Sequence, residues 1–439
     1  MNPFPVIVAD IRQNKIGISL VVLLIALAVG LGIAISAQER ALRLGSNRAA
    51  DPFDLLLGAP GSKTQLLMST VYLQAAPIPL IDGRILCELQ NNKHVQYAAP
   101  IGFGDSYKGY PVVGTVAAMA DLAGQRPLSA GKLFSRVNEA VIGIDVNLKR
   151  GDTFFPVHGQ VEENAAENDE HHEHTAIKYK VVGRMQRWGS PWDKAILVPI
   201  EAVWFIHGLG SGHRTVDAEP TAAQQIQAVG SPDNSRQHAD HSTPPRLASI
   251  PVGPPWDPTV IPGVPAIALG IDKAATAYRL RSLYNKKQQT MAFFPAEVLL
   301  QMYALLGDAG TVLSLLALTT QVLVLGSVLL AVFASLVQKR KQFGVLRALG
   351  ASGLYVFTVI WGYVVLLVSS GAVLGILIGR FSAWILSIYV GRETGLILPV
   401  AVTGKEILMA LTLIGLSFLI AIIPAVAVYR DRVSSLLRL

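Results

Sequence analysis

The sequence predicts an α-helical membrane protein with four transmembrane helices and a large α+β extracytoplasmic domain between the first and second. Three observations carry this. Of 439 residues, 51% are hydrophobic and only 15% charged, with a mean hydropathy of +0.43, too apolar for an ordinary soluble chain of this length. Four stretches lack Asp, Glu, Lys and Arg altogether, Ile16 to Gln38, Ala309 to Gln338, Ala348 to Gly379 and Ile407 to Tyr429, and each exceeds the roughly 20 apolar residues that a helix needs to cross hydrocarbon. The third observation is where the formal charge of +7 lies. Residues 39–308 hold 25 basic and 26 acidic side chains, so the excess belongs to the short segments around the apolar runs. A pI near 9.4 therefore does not indicate nucleic acid as a partner.

Taken in order, residues 1–15 are a cytoplasmic N-terminus in which Arg12 and Lys15 outnumber Asp10. The first span, 16–38, is longer than the apolar core of about 7–15 residues found in secretory signals, which makes it a retained anchor. Lys339, Arg340, Lys341 and Arg347 separate spans two and three without an acid among them, and Arg430, Arg432 and Arg438 outnumber Asp431 in the tail. Positive charge gathers on the cytoplasmic side. One crossing order satisfies all segments: N-terminus in, residues 39–308 out, spans at 309–338 and 354–379 joined by a cytoplasmic segment 339–353, a short external loop 380–406, a span at 407–429 and a cytoplasmic tail 430–439.

Pro295 is a favourable first-turn residue, and no proline follows until Pro399. The second span is thus expected to begin near residue 296 as a stalk outside the membrane, with Gln38 to Leu44 extending the first span beside it. Short β-rich runs, Ala140 to Ile144, Thr153 to Val157, Tyr179 to Met185 and Ala195 to Ile200, alternate with helical stretches in the large domain. Residues 209–265, rich in Gly, Pro, Ser, Ala and Gln, are expected to form a mobile insertion.

The spans contain no ionisable group, whereas ion and proton pathways normally need them. Gly371, Gly375 and Gly379 recur every fourth residue, which puts a smooth strip on one helix face for close packing with another helix of this chain or of a dimer partner. The single cysteine, Cys87, excludes an internal disulfide and a multi-cysteine metal site. Gly58 to Thr64, GAPGSKT, lacks the spacing and the Gly-Lys pair of a Walker A loop, and no nucleophile elbow or HExxH motif appears. In Glu162 to His174, EENAAENDEHHEH, the imidazoles of His171, His172 and His174, with His158 at the near end, suit Zn²⁺. A solvated polar loop is the competing reading. His238 and His241 form a weaker second candidate.

The segment Gln338 to Ser352, QKRKQFGVLRALGAS, joins a basic cluster to an apolar face of Phe343, Leu346 and Ala348. Together with Leu55 to Tyr72, Asn138 to Phe155 and the order of one span, a large domain and three spans, it resembles the FtsX-like, MacB-type permeases of ABC transporters. Gln342, where many members carry an acid, and the 209–265 insertion depart from that pattern. The resemblance implies a non-enzymatic permease subunit of a bacterial inner membrane, coupled at Lys339, Arg340, Lys341, Phe343, Gly344, Leu346, Arg347 and Gly350 to a separate ATPase that docks there and binds the ATP. It implies a homodimer in lipid, a periplasmic binding protein or adaptor as a further partner, and a strand, helix and Gly-Asp turn over 138–155. Metal handling of zinc or siderophore-iron, activation of an extracytoplasmic enzyme, efflux and lipoprotein release are the functions it leaves open.

Overall fold

The computed structural model describes residues 3–74, 76–158, 177–214, 250–304, 345–347, 350–400 and 404–420, with single positions between 312 and 326 and at 422 and 426. In chain order the elements are α1 (Phe4–Gln13), α2 (Lys15–Ala50), β1 (Leu55–Gly58), α3 (Lys63–Thr70), α4 (Arg84–Gln90), β2 (Val95–Tyr107), β3 (Tyr110–Thr115) and α5 (Ala117–Ala120). There follow β4 (Ala130–Gly131), β5 (Glu139–Ile142), β6 (Thr153–Phe154), β7 (Val157–His158), β8 (Tyr179–Arg184), β9 (Ile196–Pro199), α6 (Ile200–Ile206), β10 (Ala266–Ile271), α7 (Ala274–Lys286), β11 (Met291–Phe293), α8 (Gly353–Thr394) and α9 (Gly404–Ile420). Contacts divide them into two units, Met1–Leu44 with Tyr303–Glu393 and Leu398–Leu439, and Gly45–Met302 with Thr394–Ile397.

In the first unit, α2 and α8 are the two helices among the described residues that are long and apolar enough to cross a membrane. Ile18, Ile25, Val29 and Ile33 of α2 are buried against Val356, Ile360, Val364, Leu367 and Val368 of α8. The helix α8 runs 42 residues, to Thr394. Residues 380–394 are therefore helix and not loop as the sequence suggested: Arg380, Arg392 and Glu393 break the uncharged run, but the intervening FSAWILSIYVG has no proline, and its one glycine, Gly391, falls in the last turn of the helix. The α2 helix likewise runs through Gln38 to Ala50, in line with the helical character of QERALRL.

The second unit is an α/β domain around a mixed sheet in the order β11-β1-β10-β2-β3-β9-β5-β8-β4, with β6 and β7 pairing to β8 and β2. The 13-residue β2 links its two halves, and its register to β3 shifts between Gly102 and Asp105. The β3–β9 and β5–β8 pairs are parallel and the others antiparallel. Strands buried on both faces read as continuous apolar runs, as Ile196 to Pro199 and Ala140 to Ile142 do. Their core includes Phe154 stacked on Tyr179 with ring centres 5.5 Å apart, and Tyr107 at 5.0 Å from Phe154.

The region Asn138 to Phe155 forms β5, a series of turns and β6, so the helix implied between strand and Gly-Asp turn is absent. Arg184 takes its place as the organiser. Its guanidinium donates to the carbonyls of Ile144 (2.7 Å), Val146 (3.2 Å) and Leu148, which satisfies backbone acceptors that a helix would have paired internally.

Candidate coupling site

Residues 345–347 are helical and end at a turn that the sequence LRALGAS encodes locally. Gly350 adopts φ +99°, where a side chain is strained. Its N–H donates to Arg347 O at 3.1 Å, and Ala351 N–H donates to Leu346 O at 3.0 Å. These two bonds are the pair that closes a helix C-terminus in a Schellman motif. Ser352 then starts the next helix, its Oγ accepting from Tyr355 N–H at 3.2 Å. Two residues thus separate a helix stop from a helix start.

The turn rests on an apolar platform. Leu346 packs against the α2–α8 core, while Ile7 of α1 packs with Tyr355 and Val359 of α8, flanked by Ile11 and Ala351. The role of α1 is not evident from composition alone. Pro5 sits in its first turn, where a missing N–H costs nothing, and Ile7 and Ile11, four residues apart, fall on one face of the helix.

Further along α8, the three glycines meet α2 of the same chain. A Cβ at Gly371 would lie 2.7 Å from Ile25 Cβ, one at Gly375 2.7 Å from Val29 Cβ, and one at Gly379 2.6 Å from Gly30 O. The contact advances along both helices in the same sense, so α2 and α8 are parallel. By contrast, Trp361 near the start of α8 donates through Nε1 to Phe418 O near the end of α9 at 3.1 Å, and their rings are 5.1 Å apart. Helix α9 therefore runs antiparallel to α8.

The stretch from Val298 to Arg432, which contains this turn and both α8 and α9, matches the FtsX-like permease C-terminal family. Over residues 298–432 the chain is similar to FtsX-like permeases. The match is consistent with the FtsX/MacB-type permeases that the sequence resembles. No curated protein matches the chain. Permeases of this family are generally non-catalytic components of transporters and usually work with an ABC ATPase.

Within the FtsX-like domain, Leu346, Arg347 and Gly350 come together at the turn, whereas Lys339, Arg340, Lys341, Phe343 and Gly344 lie outside the described residues. Of the metal candidates, His171, His172 and His174 also lie outside them, and His158 contributes backbone to the β7–β2 pair opposite Asp105. Among the described residues, no group of three or more His, Cys, Asp or Glu could hold a metal ion.

In the second unit, sequence reasoning missed Glu201. This fully buried carboxylate at the start of α6 accepts from Gly253 N–H at 2.8 Å and from Trp256 Nε1 at 2.7 Å, with His213 Nε2 at 3.8 Å. Arg214 pairs with Asp257 at 2.9 Å beside it. The two ends of the 209–265 segment are thereby fastened to each other, and its middle, 215–249, lies outside the described residues. The only sequence signal is a Glu following an apolar strand, too common to be diagnostic.

Proposed function

We propose that the chain is the permease subunit of an ABC transporter and couples a separate cytoplasmic ATPase to motion of the 39–308 domain. The observation that carries this reading is the FtsX-like match over a segment whose basic cluster leads directly into the capped turn at Gly350. A docking surface must keep its shape under load, and a turn fixed by two backbone bonds, a serine cap and apolar contacts from three helices meets that need.

Helix directions support four crossings. Because α2 and α8 are parallel, the chain leaving the end of α2 has to return along their length before α8 begins. The uncharged run 309–338 is long enough for that return, and an antiparallel α9 supplies the last crossing. In this reading the protein is a multi-pass protein of the bacterial inner membrane, works as a homodimer with an ATPase dimer, and meets an extracytoplasmic binding protein or adaptor. Metal handling through the His-rich segment belongs to the same proposal.

Co-purification tests it. The full chain should retain its ATPase from native membranes, and Phe343→Asp with Leu346→Asp should abolish that association while leaving the permease in the membrane. An ATPase that remains bound to the double variant removes the coupling assignment.

A further inference from the structure

The strand β8 has two short partners on one edge. Gly131 of β4 pairs opposite Gly183, and Thr153 of β6 opposite Lys180. Between them the edge is met by the 149–152 turn, with Gly151 N–H donating to Val181 O at 2.8 Å and Val181 N–H to Asp152 O at 2.9 Å, and by Lys132 N–H donating to Val182 O at 3.2 Å. The space left is an open groove of about 530 Å³, floored by Val181 and Val182 and walled by Gly131, Lys132, Arg150, Gly151 and Lys180.

Glycine keeps the groove open. At Gly151, with φ +99°, a Cβ would meet nothing within 4 Å, so the wall there is bare backbone facing space. At Gly131, with φ +84°, a Cβ would overlap Val182 O, so only glycine lets β4 lie this close to the strand edge.

The charged side chains that line this space are all cationic. Lys132 Nζ holds Glu139 Oε1 at 3.1 Å on the margin, and Glu139 is further occupied by the N–H groups of Ser135 and Arg136. Arg150 and Lys180 make no ion pair among the described residues. Three like charges drawn from three separate segments repel one another, and nothing in the net charge of −1 over residues 39–308 requires them to gather.

We infer that this groove binds a phosphate-bearing anion, with Arg150 and Lys180 as its principal contacts and Lys132 as a third. A guanidinium fork can hold two oxygens of one phosphate while an ammonium lining the same groove neutralises the second charge. The groove is open to solvent, so a phosphate carried on a larger group can enter it as readily as a free one. Two sources share this chemistry, a soluble phosphate compound and a lipid headgroup.

Full-length protein in phosphatidylcholine nanodiscs is titrated with pyrophosphate by calorimetry, and separately mixed with phosphatidylcholine vesicles with and without phosphatidylglycerol. Saturable pyrophosphate binding that weakens at least about tenfold in the Arg150→Gln, Lys180→Gln variant, and with rising salt, supports a soluble ligand. Capture of only the phosphatidylglycerol vesicles, lost in the same variant, supports a lipid source. Both replaced side chains are exposed, so the variant is expected to melt like the parent, and Lys93→Gln, away from the groove, should bind as the parent does. Absence of saturable binding to either probe, or binding unchanged in the double variant, overturns the inference.

Discussion

Gly379 and Gly30 meet backbone to backbone: a Cβ on Gly379 would sit 2.6 Å from the Gly30 carbonyl oxygen and 3.0 Å from its Cα. In lipid, apolar side chains gain little by leaving their surroundings for one another, so helices associate through close packing. Gly379→Ala is expected to push α2 and α8 apart and destabilise the detergent-solubilised protein by about 1–3 kcal/mol. Gly415→Ala, on α9 where a Cβ would meet nothing within 4 Å, should be neutral or slightly stabilising. Thermal melting of both variants checks the contrast, and equal melting temperatures would contradict the packing role.

At the turn, Gly350→Ala places a side chain at φ +99°. The strain is about 1 kcal/mol and falls on the junction between residues 345–347 and α8. ATPase retention should decrease in this variant while membrane insertion is unchanged. Full retention together with unaltered stability would mean that the turn can be reshaped without consequence.

Glu139 is expected to make the α/β domain acid-sensitive. Burial pushes its carboxyl upward, but the Ser135 N–H, the Lys132 ammonium and the Ser135 hydroxyl outweigh burial and hold it below its ordinary value of 4.5. A depressed value means that the stabilisation is complete above 4.5 and disappears as pH falls through the lower folded value. Melting followed from neutral pH to below 4.5 should show a steeper loss in the parent than in Glu139→Gln, which has no such proton to gain. Parallel pH profiles would refute this.

The His-rich segment is tested by calorimetric titration of the full chain with Zn²⁺. Saturable binding should weaken when His171, His172 and His174 are replaced by Ala, since imidazole nitrogens are the preferred donors. Affinity that survives the triple replacement sinks the assignment.

Legibility in the sequence followed the range of the interactions. Ala140 to Ile144 and Ala195 to Ile200 announced β5 and β9 because each is a short, buried, apolar run, and Tyr179 to Met185 announced β8 through its Val181-Val182 centre between Tyr179 and Met185. The longest strand, β2, was obscured by Pro100, Gly102 and Gly104, residues that normally argue against a strand interior and here accompany a register shift. Charges at Arg380 and Arg392 hid the continuation of α8 because they mark the end of an apolar run without marking the end of a helix.

By itself the sequence determined the apolar character, the location of the positive charge and the resemblance to FtsX-like permeases, which the family match over 298–432 supports, since composition and local motifs carry each of these. The glycine period also placed a smooth strip on one face of α8. Only the tertiary structure decided that this strip faces α2 in parallel, that Arg184 gathers three loop carbonyls and that Lys132, Arg150 and Lys180 surround one groove. Periodicity fixes the direction in which a side chain points from its own helix or strand, but the partner it meets depends on pairings between segments far apart in the chain.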